Sequence, residues 1–386
     1  MKILILGGDG YLGWPTSMYF AERGHEVLVV DNFTKRKIEL EFGVKPLCEI
    51  KSLHTRIKVW NELSKNKILY KVGDLLNYRF LDKLLEENKP DAIIHYAEQP
   101  SAPYSMGSHE KAVFTQHNNV IGNLNLLFAI KRNCPDSHLI KLGTLGEYGT
   151  PNIDIEEGWL DIEHNGRKDR VLFPKKPGSF YHLSKVHDSA NIEFACRIWG
   201  LRSTDLNQGV VYGISTEEIE KDPTNLCTAF HYDGIFGTII NRFISQLVSN
   251  NDLTVYGKGN QKRGFLNIKD TLKCVEIATK NLPEKGEFKV FNQFTEFSSL
   301  NEIATKILDV GKKLGYSKSK AINIKNPRIE MEDHYYNPKN TNLLSLGLNP
   351  IKFDEQEIEK NIKFVERFIH NLDKDIFEAK IQWALK

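Results

Sequence analysis

Cysteine is scarce in this chain and nowhere paired. Cys48, Cys134, Cys196, Cys227 and Cys274 are scattered over 386 residues with no Cys-x-x-Cys spacing. An odd, dispersed set argues against a disulfide framework or a thiolate metal site and suits a reducing compartment such as the cytoplasm. Long apolar runs are missing too. None approaches the roughly 20 residues that a membrane span needs. There is no excess of one charge: 52 Lys and Arg stand against 50 Asp and Glu, a formal net charge of +2. That balance gives no broad electrostatic reason for nucleic acid or a membrane surface as partner. None of the 12 histidines has a spacing such as HExxH, so no metal is expected. The chain opens "MKILILGGDG" and goes directly into a strand-like run, so no targeting peptide is expected.

What is present is an alternation. "KILIL" (2–6), "EVLVV" (26–30), "KILYKV" (67–72), "DAIIHY" (91–96), "SHLIKL" (137–142) and "RSTDL" (202–206) read as strands. Amphipathic stretches of helical length, such as 109–132 and 179–199, lie between most of them. Strands alternating with helices imply right-handed crossovers and a parallel sheet covered on both faces. The expected fold is α/β, a Rossmann-type doubly wound sheet with a smaller mixed α/β lobe after it. The sheet domain spans 1–210, with a helical insertion at 33–66. Residues 211–386 form mainly a substrate lobe, some segments of which can return to the sheet.

"GGDGYLG" places Gly7, Gly10 and Gly13 right after the first strand. Glycines there allow a sharp turn and close approach to a pyrophosphate, which the following helix N-terminus attracts. The second strand ends in Asp31, close to 20 residues on, where a carboxylate can hold a ribose diol. Asp31 would repel a 2′-phosphate, which favours NAD over NADP, although Lys35 and Arg36 could neutralise one.

"SFYHLSKVHDS" carries Tyr181 and Lys185 at i and i+4, on one face of a helix. A phenol is a poor base at neutral pH, and a nearby ammonium lowers its pKa by stabilising the phenolate. Such a tyrosine can take a proton from a sugar hydroxyl while hydride leaves the same carbon. Thr144, at the end of the fifth strand, can share that hydroxyl. His182 and His187 flank this helix and read as packing or solvent-facing residues.

With "DN" at 31–32, "GD" at 73–74, "NNVIGNLNLL" at 118–127 and "LNQGVVYG" at 206–213, the chain resembles the extended short-chain dehydrogenases/reductases, in their nucleotide-sugar epimerase/dehydratase branch. The resemblance implies a UDP-sugar substrate and a retained NAD that is reduced and reoxidised within one cycle. It implies a cofactor site of Gly7, Gly10, Tyr11, Leu12, Gly13, Asp31, Asn32, Arg36, Asp74, Leu75, Tyr96, Ala97, Asn119, Tyr181, Lys185 and Val210. It implies a substrate site of Gln99, Thr144, Tyr181, Asn207, Gln208, Thr254, Val255, Tyr256, Arg263 and Arg328. Arg263 and Arg328 match positions that hold the diphosphate, though Arg328 could equally pair with Glu330 or Glu332. Tyr256 suits a uridine pocket or ordinary core.

The family's dehydratases carry Thr-Asp-Glu-Val-Tyr-Gly after the fifth strand, and its 4-epimerases carry no acid there. This chain reads Thr144-Leu145-Gly146-Glu147-Tyr148-Gly149. That pattern is similar to the members that join UDP-glucose and sulfite, as are "TPNIDIEEG", "EQPSAPYSM" (98–106), "LTVYGKGNQKRGFLNIKDT" (253–271) and "HYYN" (334–337). This resemblance covers about residues 1–350; the last thirty or so look unrelated. It implies Thr144, Glu147, Tyr181 and Lys185 as catalytic residues, UDP-glucose and sulfite as substrates, and a homodimer through 109–132 and 179–199. Glu147 is then the acid/base of a C5–C6 elimination, or else a cap on a helix N-terminus. Pro100 departs from the pattern, which has an arginine there placed to hold an anion. The rival readings are a UDP-glucose 4-epimerase or 4,6-dehydratase, and a silent NAD-binding sensor.

Overall fold

This computed structural model describes residues 1–383. The central sheet contains β1 (Lys2–Leu6), β2 (Glu26–Asp31), β3 (Ile68–Val72), β4 (Ala92–His95) and β5 (His138–Thr144). A charged hairpin, β6 (Trp159–His164) and β7 (Arg167–Leu172), precedes β8 (Arg202–Gln208). The remaining strands are β9 (Val210–Tyr212), β10 (Leu253–Tyr256), β11 (Lys262–Asn267), β12 (Phe288–Gln293), β13 (Glu296–Ser299) and β14 (Ala321–Ile324).

Seven strands form one sheet in the order β12-β8-β5-β4-β1-β2-β3. Every pairing in it is parallel. Parallel strands are covered on both faces, which explains near-continuous apolar runs such as "KILIL". The strand order reverses between β1 and β4, so the crevice for a ligand opens above their carboxyl ends. β12 arrives from the second half of the chain and pairs with β8.

The segment 33–66 forms two helices, Thr34–Phe42 and Leu53–Leu63. The second is capped by Ser52, whose hydroxyl accepts from Thr55 N. Ile38, Val44, Leu47 and Cys48 from this segment join the apolar core of the second lobe, with Phe243, Leu247, Ile303 and Ile362. The insertion therefore bridges sheet and lobe. In the lobe, β9, β11 and β13 form a three-stranded sheet, and β10 pairs with β14.

The helix Phe180–Trp199 starts at Ser179, whose hydroxyl accepts from His182 N, and ends at Gly200 with φ 72°. It buries Ser184, Lys185, Asp188, Ser189, Ile192, Ala195 and Cys196, a stripe at helical spacing. The expected helix 109–132 is interrupted: His109–Gln116 and Gly122–Asn133 flank a π-type turn at His117–Ile121. Among the described residues no helix is long and apolar enough to cross a membrane.

The glycine loop is set by close backbone contacts. Gly7 has φ 84°. A Cβ on Gly13 would strike the Gly7 carbonyl oxygen and lie 2.8 Å from Gly8 Cα. Gly13→Ala is expected to open this loop, which would lower both the melting temperature and the NAD retained by the purified protein. Quantifying dinucleotide released on acid denaturation checks it.

Candidate active site

A single cavity of about 650 Å³ runs from the glycine loop to the second lobe. At one end it is lined by Gly7, Gly10, Tyr11, Leu12, Gly13, Asp31, Asn32, Arg36, Asp74, Leu75, Tyr96, Ala97 and Val210. Asp31 accepts from Asp9 N at 2.9 Å and Phe33 N at 2.7 Å, which fixes its carboxylate at the strand end. Burial raises its pKa, and the nearby Asp9 carboxylate adds to this. Asp9 in turn holds both Arg36, at 2.6 and 2.9 Å, and the buried Arg56. Asn32 donates to Asp74 at 3.0 Å. The insertion thus docks on the glycine loop through charge as well as apolar packing. Asn119 lies behind this lining. Its side chain accepts from Gln99 N at 2.8 Å and donates to Ser184 Oγ at 2.9 Å.

Tyr181 and His182 stand side by side at the mouth of the helix Phe180–Trp199, their ring centroids 5.2 Å apart, and both line the cavity. His182 Nδ1 lies 3.0 Å from Ser179 Oγ. Its ring fills the space beside Gly146, where an added Cβ would meet His182 Cδ2 at 2.5 Å. Burial, helped by the positive charge of Arg328, lowers its pKa to about 4, so the imidazole is neutral at ordinary pH. His182 packs on Gly146, as expected, and it also lines the cavity. The signal was its place next to Tyr181 in the first turn, where side chains face the strand ends.

Tyr181 is pushed above the usual phenol range, first by burial and then by the negative charges of Glu98 and Glu147. Lys185 sits behind it, 3% exposed, with Nζ 5.8 Å from the Tyr181 ring centroid and bonded to the Leu142 carbonyl at 2.5 Å.

Glu147 is fully buried and does not line the cavity. Its carboxylate closes a capping box with Thr144, accepting from Thr144 N at 3.2 Å. It also meets Lys141 at 3.4 Å, Lys175, and Ser189 Oγ at 3.1 Å. Burial alone would raise its pKa; Lys141 and Lys175 overcome this and hold it at about 2. Of the two roles left open for Glu147, the geometry gives the cap, within a buried ion cluster. Thr144 also stands behind the lining, its hydroxyl accepting from Gly146 N at 3.1 Å.

The far end of the cavity is lined by Gln99, Gln208, Tyr256, Arg263 and Arg328. Glu330 pairs with Arg263, while Glu332 accepts from Lys258 N at 2.9 Å. Arg328 lines the cavity rather than pairing with either. Asn207 is turned away and donates to the Tyr148 hydroxyl at 2.7 Å. Thr254 and Val255 are also off the lining, since their strand packs on Gln246 and the lobe core. Arg242, which the sequence reading overlooked, lies 4.2 Å over the Tyr256 ring and lines the cavity. Pro100 lines the same cavity, as do Lys35, Arg36 and His231.

A glycine loop, a strand-end acid and a Tyr–Lys helix around one cleft define a dinucleotide-dependent enzyme of nucleotide sugars. The chain belongs to the NAD dependent epimerase/dehydratase family, whose profile matches residues 3–292. It is 47% identical over 382 residues to the chloroplastic UDP-sulfoquinovose synthase of Spinacia oleracea, covering 99% of this chain and 79% of that protein. It is 39% identical over 386 residues to the UDP-sulfoquinovose synthase of Sulfolobus acidocaldarius, covering 99% and 98%. Both alignments take in nearly all of the chain, which corrects the reading of the last thirty residues as unrelated. Among solved structures it resembles a UDP-glucose 4-epimerase of Thermotoga maritima with UDP-glucose, with TM-score 0.69, 19% identity and coverage of 95% and 99%. A UDP-glucuronic acid 4-epimerase of Bacillus cereus, solved with UDP-glucuronic acid and NAD, gives TM-score 0.68 at 19% identity, covering 95% and 99%. At that identity these two speak for the fold alone. NAD is the cofactor of the family, and Gly7, Gly13 and the anchored Asp31 fit it.

Glu147→Gln leaves Lys175 and part of Lys141 without a counter-charge, and is expected to cost about 3–5 kcal/mol of stability. A depressed carboxyl stabilises the fold above its ordinary pKa and loses that contribution as pH falls. Here the window runs from 4.5 down to about 2. Denaturant melts across that range are expected to show the acid-side loss in the wild type and a flatter profile in the variant.

Proposed function

We propose that this chain converts UDP-glucose and sulfite to UDP-sulfoquinovose and water. The observation that carries the reading is identity of 47% and 39%, each over 99% of the chain, to two UDP-sulfoquinovose synthases. The site chemistry agrees with it. Tyr181 takes the C4 hydroxyl proton as hydride leaves C4. NAD, when held by the glycine loop and Asp31, would supply the acceptor for that hydride and its source on return. The C4 ketone acidifies the C5 proton. His182, a neutral imidazole within the cavity, takes that proton and passes it to the departing C6 oxygen, which leaves as water. Sulfite, entering as bisulfite, then adds through sulfur to C6 of the 4-keto-5,6-ene, its proton passes by way of His182 to C5, and Tyr181 gives its proton back to the C4 oxygen. Arg263, Arg328 and Arg242 grip the diphosphate and uridine end, since guanidinium forks suit phosphate oxygens.

Mass spectrometry of the product from UDP-glucose, sulfite and purified protein tests the reading, with a sulfur-bearing nucleotide sugar expected. UDP-galactose formed regardless of sulfite, or a sulfur-free 4-keto-6-deoxy sugar, would overturn it. Tyr181→Phe is expected to slow NADH appearance on adding UDP-glucose by about 10²–10⁴-fold. His182→Gln is expected to keep that step and lose exchange of the C5 hydrogen with solvent.

The protein acts as a homodimer in this reading. Val113, Phe128, Phe194 and Ile198 expose an apolar face on the helices His109–Gln116, Gly122–Asn133 and Phe180–Trp199, of the kind that marks an interface. Light scattering is expected to give a dimeric mass for the wild type and a monomeric one for Ile198→Glu. Five buried, free cysteines suit a reducing cytoplasm.

A further inference from the structure

Glu98 lines the cavity but has no part in the steps above. It follows β4 in the turn that carries Gln99 and Pro100. Its side chain is 2% exposed, with Oε2 at 2.7 Å from Lys185 Nζ and Oε1 at 3.8 Å from His95 Nε2. Beyond that ion pair neither oxygen accepts a hydrogen bond among the described residues. A carboxylate buried to this degree is costly unless a charge compensates it, and the compensating charge here is the lysine of the Tyr–Lys pair. The turn is also clamped to the helix that bears Lys185. Gln99 N donates to Asn119 at 2.8 Å, and Asn119 donates to Ser184 Oγ at 2.9 Å.

We propose that Glu98 is the positioning residue for Lys185: its carboxylate fixes the ammonium beside the Tyr181 phenol. The proposal rests on the Tyr181 step of the function above and not on sulfite transfer. Lys185 alone, at 5.8 Å from the ring, has a long flexible stem with several rotamers open to it. The Leu142 carbonyl and Glu98 both hold its Nζ. The other titratable groups around the pair are His182 beside Tyr181 and Asp188 on the same helix, His95 from β4, Lys141 from β5, Glu147 from the turn after it and Asp205 from β8. After burial, Glu98 is the largest influence raising Tyr181. Removing that charge while keeping Lys185 therefore makes the phenol easier to ionise.

The test follows NADH formation in the holoenzyme on adding UDP-glucose without sulfite, as a function of pH. Glu98→Gln is expected to shift the midpoint of the rising limb to lower pH by about one unit. Glu98→Asp, which withdraws the charge by one methylene, is expected to shift it less in the same direction. The aspartate variant stands in where the glutamine variant fails to fold. An unshifted midpoint in the folded variant, whether or not the rate falls, means a structural role only and overturns the proposal. If the wild type forms no NADH, the Tyr181 reading fails and takes this proposal with it; if NADH forms but no sulfur is incorporated, only the sulfite assignment fails.

Discussion

A lysine with no solvent exposure lies inside β5, and the active helix is fastened to the sheet through it. Lys141 Nζ donates to the Lys185 carbonyl and to Ser189 Oγ, both at 2.9 Å, and lies 3.4 Å from Glu147 and from Asp205. A buried cation without partners costs several kcal/mol, so Lys141 requires the anions around it. Those anions come from two places, the turn after β5 and β8, and Ser189 ties the helix to the second by donating to Asp205. The cluster thereby fixes the register of the helix Phe180–Trp199 against β5 and β8. Tyr181 and His182 occupy the cavity because this anchor sits one to two turns further along the helix.

That constraint also accounts for the lone acid after β5. Gly143 leaves room beside the strand: a Cβ there would sit 3.1 Å from Glu147 Oε1 and would strike Asp205 and Asn207. The carboxylate turns into this space and not toward the cleft. Lys175, from the segment before the helix, completes its neutralisation.

Much of the sheet was legible because parallel strands are apolar on both faces and alternate with helical periodicity. β1 to β5 and β8 follow the runs read from the sequence to within a residue or two. The hairpin Trp159–Leu172 was missed, although its turn was in view: Asn165 and Gly166 have φ 50° and 72°, the pair that a tight hairpin turn prefers. Its strands are mostly charged and exposed, so no apolar alternation announced them. The glycine loop, Asp31 and the Tyr–Lys pair were legible because each depends on local spacing. Glu147, His182 and Arg242 were not, because the side of the strand or helix they face is set by long-range partners. Lys141 is the extreme case: nothing in "SHLIKL" says that its lysine is the centre of a buried cluster.

The insertion 33–66 shows a similar division. Its helical content was readable; its role in closing the cleft was not. Its apolar side enters the second lobe's core, while Arg36 and Arg56 grip Asp9 in the glycine loop. One segment therefore joins the cofactor end to the substrate end. For the proposed reaction the distribution of charge along the cavity matters equally. Sulfite is an anion that must approach C6, and a free carboxylate near that carbon would repel it in a site where screening by water is weak. The dehydratase acid positions hold Leu145 and Gly146. Glu147 is withdrawn and cancelled by two lysines, and the group left to move the C5 proton is a neutral imidazole. Elimination by His182 needs no charged base at rest. The proton it gains leaves with the C6 oxygen, so the imidazole is neutral again when sulfite adds.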